Sequence, residues 1–207
     1  MKANITAVFL ILLTSASLTV AATPYPPHYQ GGYYGAPSQA KTGSPAAILE
    51  EGVNKLVSYI RSSKPQDRAK AMHYLKSEIA PYFDFAYMTK WASGPAWRKM
   101  NAGQRAEMQA ELSKSFLTIL ASNLSTYSNQ PIRFFTPRGQ RRGEITVSAW
   151  IMQPNGNPTK LDFRFYKTPK GSWKIFDVKA AGTSAVSYYR NRFRQQLRYS
   201  TQARSYQ

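Results

Sequence analysis

From residue 144 onward the chain alternates apolar and polar side chains with the period of a strand. In 144–152 (EITVSAWIM), Ile145, Val147, Ala149 and Ile151 share one face. A turn follows at 154–158 (PNGNP), where the Asn-Gly pair supplies the positive φ that a hairpin needs. In 160–167 (KLDFRFYK), Leu161, Phe163 and Phe165 oppose Asp162, Arg164 and Tyr166, which is a half-buried strand with one polar face. The turn 168–171 (TPKG) leads into a third strand, 173–178 (WKIFDV), and 131–136 (PIRFFT), closed by Pro137, adds one ahead of them. The result is an antiparallel meander long enough to curl, and whatever fills its concave side decides the function.

The helices precede and follow the meander. Ser44 before Pro45 starts one, with Leu49, Val53, Leu56, Val57 and Ile60 as its apolar stripe and Lys64-Pro65 as its end. A second, over about 67–80, turns Ala69, Met72, Leu75 and Ile79 inward and carries His73. The stretch 83–97 is the richest in aromatics; Asp84 caps a short helix over 85–92, and Ser93-Gly94-Pro95 ends it. Over about 102–127, Met108, Leu112, Phe116, Ile119, Leu120, Leu124 and Tyr127 recur every three or four residues. That helix would be about 35–40 Å long, enough to cross the sheet. The last helix, about 184–199, sets Val186, Tyr189, Phe193 and Leu197 beside a ridge of Arg190, Arg194 and Arg198, and 200–207 reads as a frayed tail. The expected fold class is α+β: several helices packed on a curved four-stranded antiparallel sheet, a cone of the nuclear-transport-factor-2-like (cystatin-like) kind.

Among 207 residues there is room for one domain of ordinary size, 45–199. Residues 1–22 read as a signal peptide: Lys2, an apolar run from Ile5 to Val20, and small residues at Ala21 and Ala22. That run is broken by Thr14, Ser15 and Ser17, whereas a spanning helix needs about 20 apolar residues. Residues 23–44, dense in Pro, Gly and Tyr, read as a disordered linker. With no cysteine there is no disulfide, thiolate metal site or Cys nucleophile, and two distant histidines, His28 and His73, support neither a metal site nor a triad. The reading therefore requires no metal and no cofactor. The formal charge of +18 attracts anions such as nucleic acid, acidic proteins or lipid headgroups.

Two segments carry a family resemblance. One is 83–97 (FDFAYMTKWASGPAW) with Gln104 and the long helix behind it. The other is 161–165 (LDFRF), 171–178 (GSWKIFDV), Gly182 and the helix from Ser184 to Phe193. In this order, and over about 47–197, the chain resembles the MlaC family of periplasmic phospholipid-binding proteins, also called toluene-tolerance auxiliary proteins; a hopanoid-associated subgroup shares the pattern. The chain departs from the common pattern in its Tyr/Pro/Gly-rich leader, its charge, and Thr183 where the family often has Val. The resemblance implies a monomeric soluble shuttle without chemistry. It would carry a phospholipid ligand between an outer-membrane lipoprotein complex and an inner-membrane ABC transporter complex, with acyl chains inside the cone.

The acyl chains would gain about 0.8 kcal/mol per buried CH₂ from an apolar slot. The candidate lining is Met88, Trp91, Leu112, Phe116, Leu120, Ile145, Val147, Phe163, Phe165 and Val186. Arg138, Arg141, Arg142, Arg190, Arg194 and Arg198 are candidates for headgroup or partner docking. Two other readings fit part of the sequence. Cone folds can host isomerases or dehydratases, which need a carboxylate or His at the cavity floor. Asp84, Asp162 and Asp177 are the carboxylates, and Asp177, sharing a face with Trp173 and Ile175 by alternation, is the best placed. The charge and interleaved aromatics also fit a nucleic-acid binder, against which the export signal counts.

Overall fold

The computed structural model describes residues 41–63, 67–124, 127, 129–139, 143–154 and 156–204, with side chains as far as 196. The expected signal peptide, the linker up to residue 40, Lys64, Pro65, Arg141 and Arg142 lie outside the described residues.

Each helix starts where a short polar side chain meets its free N–H groups. α1 (Pro45–Ser62) is capped by Ser44 Oγ, which accepts from Ala47 N–H at 3.3 Å. α2 (Arg68–Tyr74) is capped by Asp67, which accepts from the N–H groups of Ala69 and Lys70. The helical run expected over 67–80 does not stay α-helical. It continues as a π turn (Leu75–Ile79) and a 3-10 turn (Ala80–Tyr82). Pro81 sits in that last turn, without an N–H and with a ring that crowds the carbonyl four residues back. α3 (Phe85–Ser93) is capped by Asp84 Oδ1, accepting from Tyr87 N–H at 2.8 Å, and it stops at Gly94, whose φ is +56°. α4 (Ala102–Leu124) opens on a reciprocal box: Gln104 N–H donates to Asn101 Oδ1 at 2.9 Å, and Asn101 N–H donates to Gln104 Oε1 at 3.0 Å. α5 (Ala185–Arg204) runs past Tyr199, so 200–204 is helix where a frayed tail was expected.

The strands are β1 (Ile132–Phe134), β2 (Arg138–Gly139), β3 (Glu144–Ile151), β4 (Thr159–Lys167), β5 (Trp173–Ala180) and β6 (Thr183–Ser184), all paired antiparallel. The order is β1-β3-β4-β5-β6, with β2 also on β3. The single first strand expected over 131–136 is thus an edge of two segments. Between Phe134↔Ala149 and Arg138↔Thr146, three edge residues face two of β3, so the edge bulges at Pro137, which has no N–H for the ladder. Gly171, at φ +85°, makes the turn between β4 and β5.

A second bulge corrects one expectation. Arg164 pairs with Asp177, but Phe165 pairs with Ile175, leaving Phe176 as an extra residue in β5. The alternation slips by one there. Ile175, Val178 and Ala180 fall on the concave face with Phe165, Phe163 and Leu161, and Asp177 falls on the outer face with Arg164 and Asp162. The sequence alternation had placed Asp177 with Trp173 and Ile175.

Helices α1 and α4 lie against the concave face, and α3 and α5 pack on each other and against β5. The core joins Leu75, Met88, Leu112, Phe116, Val147, Phe165, Ile175 and Phe193, all under 5% exposed. The entry to α3 is tied to the sheet twice. Asp84 N–H donates to Ile175 O at 2.9 Å, and Tyr166 Oη donates to Asp84 Oδ2 while its ring stacks on Tyr87 with centroids 4.0 Å apart. Asp84→Ala removes the cap and leaves Tyr166 without its acceptor. We expect about 2 kcal/mol lower stability in urea denaturation, against about half of that for Tyr166→Phe.

Candidate functional site

The concave face and its helices do not close completely. They leave a cavity of about 180 Å³, enclosed by α1, α4, the turn before α3 and the inner face of the sheet. α1 contributes most, through Ile48, Leu49, Val53, Leu56, Val57 and Ile60, and the Tyr82 ring lies against Gly52. Phe116, Leu120 and Leu124 come from α4, and Ile132, Ala149, Ile151, Leu161, Phe163, Ile175 and Val178 from the sheet. Tyr82 and Phe83 stand at the end nearer the start of α3.

Apart from the Tyr82 phenol, which donates to Glu51 Oε1 at 2.7 Å, the polar lining groups gather at the other end, where α1, α4 and β3 finish. They are Asn123, Tyr127, Gln130 and Gln153. Tyr127 Oη donates to Gln130 O at 2.8 Å, Gln153 Nε2 donates to Thr159 Oγ1 at 3.1 Å, and Asn123 Nδ2 donates to Ile119 O at 2.9 Å. Just outside, Arg61 near the end of α1 reaches Asn129, its Nε and Nη2 donating to Oδ1 at 3.2 and 2.6 Å. Among the described residues, no Asp, Glu, Lys, Arg or His lines the cavity. The chemistry this lining offers is apolar contact along its length and neutral hydrogen bonding at one end.

Of the lining expected from sequence, Phe116, Leu120 and Phe163 face this cavity. Met88, Leu112, Val147, Phe165 and Val186 are buried core outside it, and Ile145, paired with Phe165, packs against the core from the concave face. Trp91 is 38% exposed and packs on Tyr87 and Phe176. The contribution of α1 was not anticipated. Its stripe was visible in the sequence, but nothing there distinguishes a stripe that seals a core from one that leaves a gap.

The arginines are placed apart from the cavity. Arg190 Nη2 donates to Trp91 O at 2.9 Å, Arg194 is exposed, and Arg138 lies on the outer face opposite Thr146. Neighbouring Arg192 pairs with Glu111 at 2.9 Å. Arg198 lies in the part of α5 whose side chains are outside the described residues.

Asp177 is buried in the outer layer, 1% exposed. Its Oδ1 accepts from Val186 N–H at 3.1 Å, and its Oδ2 accepts from Ser184 Oγ at 2.7 Å and Arg164 Nη1 at 3.3 Å. Arg164 also donates to Glu144 at 2.8 Å. This pins the N-terminus of α5 to the sheet, on the face away from the cavity. Asp162 accepts from Ser148 Oγ on the same outer face, and Asp84 caps α3.

Several phenols are held above their ordinary range. Burial pushes Tyr189 up to about 12, and burial together with the Asp84 hydrogen bond raises Tyr166. Burial likewise raises Tyr74, Tyr82 and Tyr127. Each binds its proton more tightly folded than unfolded, so this stability is full below about pH 10 and is lost as pH climbs through the folded values. We expect tyrosinate absorbance to rise together with loss of near-UV circular dichroism above about pH 10, with Tyr189 alone contributing about 2–3 kcal/mol to that loss.

An antiparallel sheet curved over an apolar chamber, roofed by α1 and α4, defines an α+β cavity protein. The MlaC protein family model matches residues 50–204, and the chain belongs to that family. Among solved structures it is similar to the phospholipid-binding protein from Ralstonia solanacearum in complex with a phospholipid. The TM-score is 0.66 at 23% identity, over 72% of this chain and 85% of that one. Among the described residues no helix is long and apolar enough to cross a membrane.

Proposed function

We propose that the chain is a periplasmic phospholipid carrier, exported by its N-terminal signal peptide. It holds acyl chains in the cavity between α1, α4 and the sheet, and passes the lipid between an outer-membrane lipoprotein complex and an inner-membrane ABC transporter complex. One observation carries the reading: the cavity is apolar along its length and, the Tyr82 phenol apart, polar only at one end, as a molecule with a hydrocarbon body and a hydrated head requires. Membership of the MlaC family and the phospholipid in the similar Ralstonia protein support it. Phe116, Leu120 and Phe163 contact the acyl chains, and the head emerges between Gln153 and the Arg61–Asn129 contact.

At about 180 Å³ the chamber is smaller than the ~300–1,000 Å³ of pockets that enclose drug-sized ligands. Loading therefore widens it, and α1 is the wall that moves, since its hold at the polar end is an exposed side-chain contact. The test is native mass spectrometry of the full chain purified from periplasm, with organic extraction of the cargo. Phospholipid in near one-to-one ratio is expected. A polycyclic lipid would transfer the protein to the hopanoid-associated subgroup, and a stable, empty protein would sink the carrier reading.

A further inference from the structure

The carrier reading leaves a cluster on the outer face of the sheet unused. Trp150 of β3 stands directly between Arg133 of β1 and Lys160 of β4. Lys160 Nζ lies 4.5 Å from the centre of the Trp150 ring, and the Phe135 ring centroid lies 4.5 Å from that of Trp150. Phe135 is 36% exposed, and Arg133 and Lys160 are exposed. Further cations on this face are Arg138 and Lys179, both exposed. Its carboxylates are all engaged: Asp162 by Ser148, Glu144 and Asp177 by Arg164.

The cluster backs onto the polar end of the cavity. Ile132 and Ile151, each next in sequence to a member of the cluster, point the opposite way and line the chamber, and Gln153 follows two residues on. We propose that this patch seats the protein on an anionic bilayer surface, with the polar end of the cavity beside it. Cations alone would serve an acidic protein. Rings presented among cations on an open sheet face match the headgroup boundary, where amphipathic aromatics settle and each cation adds affinity for anionic lipid.

Flotation of the signal-processed chain with vesicles tests this independently of cargo. Wild type binds phosphatidylcholine vesicles containing phosphatidylglycerol and leaves pure phosphatidylcholine vesicles free. Lys160→Glu and Phe135→Ser each weaken binding at least about fivefold. Lys90→Glu, the same charge change at an exposed lysine of α3, leaves binding near wild type. Thermal unfolding and lipid load, measured alongside, show the variants folded. Three outcomes overturn the proposal: no binding by wild type; equal losses for Lys160→Glu and Lys90→Glu, which make the attraction one of bulk charge; or wild-type binding displaced by soluble polyglutamate and untouched by Phe135→Ser, which makes an acidic protein the partner.

Discussion

Asp177→Ala should lower stability by about 3–5 kcal/mol in urea denaturation, the range for removing one partner of a buried, hydrogen-bonded ion pair. The carboxylate is 1% exposed, and three donors converge on it: Val186 N–H, Ser184 Oγ and Arg164 Nη1. Alanine leaves the Arg164 guanidinium with Glu144 alone and opens the first turn of α5. Asp177→Asn keeps an acceptor for Val186 and should cost less. Ser184→Ala should cost about 1 kcal/mol, as loss of a helix cap. A loss below about 1 kcal/mol for Asp177→Ala would mean that the residue pins nothing, and its burial would again need a chemical explanation.

Ala149→Phe should empty the protein while leaving it folded. Ala149 is 2% exposed, sits on the concave face between Phe134 and Leu161, and lines the cavity. A benzyl group there occupies space that acyl chain would take, so co-purified lipid should fall more than tenfold, with a stability change of about 1–3 kcal/mol for repacking. Val147→Ala, two residues along the same face but outside the lining, should do the reverse: about 2 kcal/mol of stability lost and cargo retained. Wild-type lipid load in Ala149→Phe would show that the cargo lies elsewhere.

These contrasts mark what could be read from the chain. The alternation in β3 and β4 gave faces that the structure reproduces residue by residue, because a one-residue slip would turn every apolar side chain to water. The caps at Ser44, Asp67 and Asp84 sit where Ser or Asp precedes an apolar-periodic run. β5 defeated the same logic, since WKIFDV carries no Gly or Pro to announce a bulge at Phe176, and Asp177 changed sides with it. The cavity was less legible still. Phe116, Leu120 and Phe163 face it, while Leu112, Val147 and Phe165 on the same elements are solid core. Whether an inward residue meets a neighbour or a gap is set by how far α1 stands off the sheet, a distance between elements that no local pattern encodes.

The broken edge at Pro137 bears on how many copies of this chain a compartment can hold. A long free strand offers its amides to any similar strand nearby and seeds fibres. Here the border is two short pieces, Ile132–Phe134 and Arg138–Gly139, offset by a bulge, with prolines at 131 and 137 and arginines at 133 and 138. Two such borders brought together present repelling charges and too few aligned amides to zip. The chain can therefore be crowded without its sheets joining end to end.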